Sequence, residues 1–240
     1  AERVAGRRPR RLPGAGGVSG GSAALTGTEI GDAVHRLLET IDLARPTAPA
    51  PDELASAVRS WYPGASQVDI ERIGALVQAY CASALAARIA ALGTARAERP
   101  FAFEHDGVLL HGRLDVLWRD AEQALVLDYK TNALAGGAPA DLVDADYALQ
   151  RLVYALACLR DGAAEVEIVY QFLELPDEPV AAVFGRADVA RLERDLSQAI
   201  EAIRAGAFRP TPSELGCADC PVRGVVCAGL ELDGSRRHGA

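Results

Sequence analysis

The spacing of hydrophobic residues changes along this chain, and the changes mark out its elements. From Thr26 onward the apolar positions Ile30, Val34, Leu37, Leu38 and Ile41 recur at three- and four-residue intervals, the period of one helix face. Thr26, followed three residues later by Glu29, supplies a capping box for the start of that helix. A proline-rich stretch from Ala44 to Asp52 reads as a loop. The helical period then returns, predicting helices near 52–61 and 67–92, the second alanine-rich and stopped by Gly93.

Past Pro100 the period shortens to two. Phe101 to Glu104 predicts a short strand, His105-Asp106-Gly107 a turn, and Val108 to Trp118 a long strand. A polar link over 120–123 leads into a further strand from Ala124 to Lys130. Residues 142–160 return to helical spacing, Val166 to Leu175 and Val180 to Phe184 read as strands, and a charged amphipathic helix covers about 187–205. This order predicts an α/β (α+β) fold, a central mixed sheet flanked by helices. Three regions follow: an Arg-, Gly- and Pro-rich tail over 1–25 that reads as disordered, a domain over 26–207, and a cysteine-containing tail over 208–240.

Composition narrows the function. In 240 residues no apolar run approaches the ~18–20 needed to span a bilayer, and no basic-then-apolar leader opens the chain. The expectation is a protein of the cytoplasm with no membrane partner. No methionine occurs, even at position 1, which suggests a module cut from a longer polypeptide. A net charge of −8 is unusual for a stand-alone DNA binder, although Arg3, Arg7, Arg8, Arg10 and Arg11 crowd the start. Of the 25 lysines and arginines, Lys130 alone is lysine. Arginine holds its proton, whereas lysine is a compact donor whose pKa responds to burial, so a single retained ammonium points to chemistry. Lys130 follows Tyr129 rather than glycine, which excludes the phosphate-binding loop of ATP-driven motors.

Strand side chains alternate between faces. Asp128 and Lys130 therefore share a face with Val126, while Leu127 and Tyr129 point to a core; on the preceding strand Asp115 shares a face with Arg113 and Leu117. If 120–123 form the connection, Arg119 pairs with Ala124, and counting outward sets Asp115 opposite Asp128, with Cβ atoms about 5 Å apart. Carboxylates so placed repel, and a divalent cation relieves the conflict. Two carboxylates and a backbone carbonyl suit Mg²⁺ or Mn²⁺, which polarises a phosphodiester, while Lys130 stabilises the charge that develops.

Gly112-Arg113-Leu114-Asp115 with Leu127-Asp128-Tyr129-Lys130-Thr131 resembles the PD-(D/E)XK nuclease superfamily in its RecB-like branch, which has a restriction-endonuclease-like core. Gly31-Asp32-Ala33-Val34-His35 is similar to that branch's G-x-x-x-H helix, and Gln150-Arg151-Leu152-Val153-Tyr154 to its Q-x-x-x-Y helix. The resemblance implies that Asp115, Asp128 and Lys130 are catalytic. It implies a metal held by His35, Asp115, Asp128 and the Tyr129 backbone carbonyl, with Gln150 and Tyr154 on a helix beside the site. His105, His111 and Glu98 have no comparable support, though Glu98 lies where relatives often carry a glutamate before the first strand. The implied activity is Mg²⁺-dependent DNA cleavage, exonuclease rather than endonuclease, on single-stranded ends. The implied partner is a helicase motor in double-strand-break repair. A silent DNA-binding or scaffold module and a stand-alone exonuclease of CRISPR adaptation are the alternatives.

Cys217, Cys220 and Cys227 form C-x2-C-x6-C, a tail that in many RecB-like nucleases binds a [4Fe–4S] cluster with one further cysteine upstream. No cysteine precedes His35, and Cys81 and Cys158 sit in apolar helical patterns, so the fourth thiolate is missing. The expectation is no stoichiometric cluster; a zinc site completed by a histidine is the other reading of these thiols.

Overall fold

In a computed structural model, residues 24–134 and 136–207 are described, together with Cys217, Cys220 and Cys227. The basic start of the chain and most of the cysteine tail lie outside the described residues.

Four helices come first: α1 (Gly27–Glu39), α2 (Pro51–Trp61), α3 (Gln67–Cys81) and α4 (Ala84–Leu92). Thr26 caps α1 as its sequence predicts, its side chain accepting from the Glu29 N–H while Glu29 reaches back to the cap backbone. The single helix expected over 67–92 is two. Ser83 accepts from the Ala86 N–H and so starts α4 afresh, and the two helices bend by 55° at this point. An alanine-rich sequence keeps the helical period across such a break, which is why periodicity alone missed it. Among the described residues no single helix is long and apolar enough to cross a membrane.

The sheet has the order β1-β2-β3-β4-β5, formed by β1 (Arg96–His105), β2 (Val108–Arg119), β3 (Gln123–Lys130), β4 (Glu165–Phe172) and β5 (Val180–Gly185). All neighbours are antiparallel except β3 and β4, so the sheet is mixed, as expected. β1 is longer than Phe101 to Glu104 suggested, because its first half is tied to β2 by the register Arg96↔Leu117 and Ala97↔Val116. The turn before β2 has Asp106 at φ 50° and Gly107 at φ 71°. Two left-handed residues are what a two-residue hairpin between right-twisted strands requires.

Between β3 and β4 the chain crosses over through α5 (Pro139–Asp146) and α6 (Ala148–Arg160), and α7 (Val189–Arg204) follows β5. The continuous helix expected over 142–160 is interrupted at Tyr147, which leaves the helical region at φ −117°, ψ 5°. Helices α1–α4 cover one face of the sheet, over Val116, Leu125, Leu127, Tyr129 and Val169. Helices α5–α7 cover the other, over Leu114, Val126, Ile168 and Tyr170. β3 is sandwiched between both layers, and every residue from Ala124 to Lys130 is buried. Its two charged side chains, Asp128 and Lys130, lie deep in the domain because that strand carries them there.

Candidate active site

The site forms where the sheet splits. β2 pairs with β3 only from Arg119↔Ala124 to Val116↔Leu127, the register that the four-residue link predicts. Beyond Val116, β2 leaves with β1 and a fork opens between β2 and β3. Asp115 stands in this fork, one step past the last pair. Its Oδ2 accepts the Tyr129 backbone N–H at 3.0 Å, taking the place of a ladder bond. An extended residue turns its N–H and C=O to the same side, so the Tyr129 carbonyl is also directed into the fork.

One detail of the sequence reading is corrected here. Asp115 does not share a face with both Arg113 and Leu117. Val116 packs in the α1–α4 core, yet Leu114, two residues earlier, packs in the α5–α7 core. β1 switches likewise, from Ala97 on the first core to Phe101 on the second. The ladder between them skips the step at Glu98 and Asp115, and Glu98 is held at φ 51°. A non-glycine residue in this region is strained and persists only where its surroundings fix it. The twist of both strands at one step delivers two carboxylates into the fork, and strict alternation cannot foresee it.

His35 reaches the fork from α1, its Nδ1 3.4 Å from Asp115 Oδ2. A close helix approach permits this: a Cβ on Gly31 would stand 2.9 Å from Thr131 Oγ1, just past β3. Ligand atoms of His35, Glu98 and Asp115 all lie within 4.8 Å of one another. Glu98 is the site residue that sequence reasoning left unsupported. Its one signal was its place before the first strand, and only the kinked pairing with β2 shows why that place matters. Arg113 donates to Glu98 Oε2 at 3.1 Å and so holds the carboxylate at the edge of the group.

Asp128 and Lys130 enter the fork from the α6 side. Lys130 Nζ is 2.5 Å from Asp128 Oδ2, donates to Gln150 Oε1 at 3.1 Å, and lies 3.9 Å from the centre of the Tyr147 ring. Tyr147, whose ring lies over the ammonium, is the residue at the break between α5 and α6. The Tyr154 hydroxyl accepts from Gln150 Nε2 at 2.9 Å and stands within 3.1 Å of Asp128 Oδ1 and 3.3 Å of the Arg113 carbonyl, bridging the two strands across the fork. Gln150 and Tyr154, one turn apart on α6, therefore hold Lys130 and Asp128. Asp128 belongs to this second group rather than to the tight cluster around His35.

Electrostatics fit the division. Burial pushes the Asp128 carboxyl above the usual range and the Asp115 charge adds to this, while Lys130 opposes it. Asp128 Oδ2 makes no well-directed hydrogen bond despite the nearby ammonium. Burial works against a charged His35, but the hydrogen bond and charge of Asp115 outweigh it and leave the imidazole pKa raised. Burial first, and then the Asp128 charge, pushes the Tyr147 phenol up to about 12 and Tyr154 and Tyr170 higher, so all three stay protonated and can donate.

The remaining histidines and the cysteines have other surroundings. His105 sits at the far end of the hairpin against Glu193 and Ser197 of α7, and His111 is exposed. Cys158 is buried, which drives its thiol up to about 12, and Cys81 is half-buried at the end of α3 with its thiol also raised by burial. Cys217 is buried and Cys220 and Cys227 are half-buried, but the segments joining them lie outside the described residues.

A mixed sheet with helices on both faces and acidic and lysine side chains at a strand fork is the restriction-endonuclease-like core. The chain belongs to the PD-(D/E)XK nuclease superfamily: the family model of that description matches residues 8–227. It is a nuclease of that superfamily. No curated protein matches significantly. Among solved structures it is similar to SSO0001, at 18% identity and TM-score 0.35, covering 83% of this chain and 94% of that one. It is also similar to an inferred exonuclease from Eubacterium rectale, at 10% identity and TM-score 0.46, covering 87% of this chain and 79% of that one.

Proposed function

We propose that the chain is a divalent-metal-dependent deoxyribonuclease, an exonuclease acting on single-stranded ends as a module beside a helicase motor in double-strand-break repair. The observation that carries the nuclease chemistry is the convergence of His35, Glu98 and Asp115 within 4.8 Å at the mouth of a fork whose other wall is Asp128 and Lys130. Two carboxylates and an imidazole packed this closely fit a hard divalent cation, and Asp128 offers further carboxylate oxygens from the other wall of the fork. Mg²⁺ or Mn²⁺ would be held by His35, Glu98 and Asp115, with Asp128 and the Tyr129 carbonyl turned to the same fork. The cation supplies Lewis acidity for hydrolysis of a phosphodiester.

The chain's own groups do the rest. Lys130 is fixed by Asp128, Gln150 and the Tyr147 ring, so its charge is already in place where negative charge develops. Tyr154 fixes Asp128 and spans the fork, keeping the two strands that bear the carboxylates at one separation. Arg113 neutralises Glu98 before a cation arrives.

The test is cleavage of end-labelled single strands with and without Mg²⁺ or Mn²⁺, beside a circular single strand. Metal-dependent shortening of linear DNA, with the circle spared and Asp128→Ala inactive, is the expected result. Cleavage of the circle would replace the exonuclease reading by an endonuclease. Unchanged activity in chelator would remove the metal.

A further inference from the structure

A cleft of about 460 Å³ opens beside this site, between the end of α1 with its following loop and the junction of α4 with β1. Glu39 and Asp42 line one side, and Arg96, Ala97 and Arg99 the other. The cleft and the cluster share both walls. Glu39 lies one helical turn beyond His35 on α1, and Glu98 sits on β1 between the lining residues Ala97 and Arg99.

Of the described arginines that are in no ion pair with a described carboxylate, Arg96 and Arg99 are the two that line this cleft. Arg36, Arg72, Arg88, Arg113, Arg119, Arg151 and Arg160 each pair with a carboxylate. Arg96 and Arg99 are exposed, and neither is in an ion pair with any of the described residues. Two guanidinium groups three residues apart, left without anions on the wall of a cleft, suit an anionic ligand.

We propose that this cleft holds one nucleotide of a single DNA strand next to the bond that is cut, with its phosphate on Arg96 and Arg99. The proposal rests on the nuclease reading above. The cleft has the dimensions of a small-ligand site, enough for one nucleotide; a base pair with its second strand does not enter. Glu39, on the opposite wall, repels a second phosphate and so turns the backbone toward β1 and the base toward α1. The strand then runs from the arginine wall past Glu98 into the fork, and strand separation becomes a condition for seating it.

The experiment measures binding of a fluorescent twelve-nucleotide oligo(dT) by the full chain with Ca²⁺, by anisotropy across a salt series, in wild type and in the double variant Arg96→Gln with Arg99→Gln. Expected are an affinity loss of about tenfold and a slope of log K against log salt reduced by about 0.7, the contribution of one phosphate contact on a single strand. Under Mg²⁺ the KM rises more than kcat falls, and the thermal shift produced by Mg²⁺ stays at its wild-type value. Ala95→Trp, which adds an indole at a residue lining the cleft, gives the same binding loss without touching a charge. If the arginine variant binds with unchanged affinity and slope while wild type binds and cuts, the cleft assignment falls and the nuclease reading stands. Loss of the Mg²⁺ thermal shift in that variant also overturns the assignment, because the arginines then act through the metal group. Thymidine monophosphate binding as tightly as the oligonucleotide would make the cleft a free-nucleotide site instead of a strand seat. A wild-type protein that neither binds nor cuts DNA takes both readings down.

Discussion

Asp115 Oδ2 accepts the Tyr129 backbone N–H at 3.0 Å, so a side chain rather than a carbonyl closes the β2–β3 ladder. The bond ties a carboxylate of the metal group to the strand that carries Asp128 and Lys130. Asp115→Ala leaves that buried N–H without a partner, at a cost of about 1–3 kcal/mol. Asp115→Asn keeps an acceptor and costs less, yet both variants lose Mg²⁺-dependent cleavage. Urea denaturation in chelator separates them; equal apo stability of the two would show that the bond does not hold the fork.

Lys130 is the buried partner of a buried acid. Lys130→Met should destabilise the fold by about 3–5 kcal/mol or drive Asp128 to take up a proton, and pairing it with Asp128→Asn should recover most of that stability without any activity. Lys130→Arg keeps the charge but brings a longer, planar group into a space bounded by Gln150 and the Tyr147 ring. Cleavage should fall by about a hundredfold or more. Near-wild-type rates in that variant would show that a compact ammonium is not required.

A cation that binds only the folded chain stabilises it by about 2.7 kcal/mol at a hundredfold excess over Kd. Calorimetry should therefore show a rise in Tm with Mg²⁺ or Mn²⁺. Glu98→Ala should abolish most of that rise. A full Mg²⁺ response in this variant would remove Glu98 from the site.

The pH dependence of the apo protein has a definite sign. The folded-state pKa of His35 is raised above 6.5, so the protonated imidazole stabilises the native state. That contribution is complete below 6.5 and is lost as pH rises through the folded value. In chelator, Tm should fall as pH is raised through this window more steeply in wild type than in His35→Asn. Identical slopes would contradict the His35–Asp115 pairing.

Gly31 sets how closely α1 approaches β3. Gly31→Ala brings a methyl within 2.9 Å of Thr131 Oγ1 and should push His35 out of line, raising the metal concentration needed for cleavage several-fold. Thr131→Ala removes the obstructing oxygen and should restore the wild-type requirement in the double variant. A double variant as impaired as the single one would place the effect of Gly31 elsewhere.

The sequence by itself determined the order of helices and strands, the Thr26 cap, the β2–β3 register and the nuclease motifs, because each depends on neighbours a few residues apart. Asp128 and Lys130 share a face on account of the strand period alone, and Gln150 and Tyr154 share one on account of the helical turn. The breaks at Ser83 and Tyr147 escaped it, since an apolar period runs through both and only the backbone at these two residues, the first of them a side-chain cap, departs from the helix. Tertiary structure alone decided that Glu98 joins His35 and Asp115. That group needs two strands to twist at one facing step and a helix to close in at Gly31, and no spacing within a single segment encodes a coincidence of three.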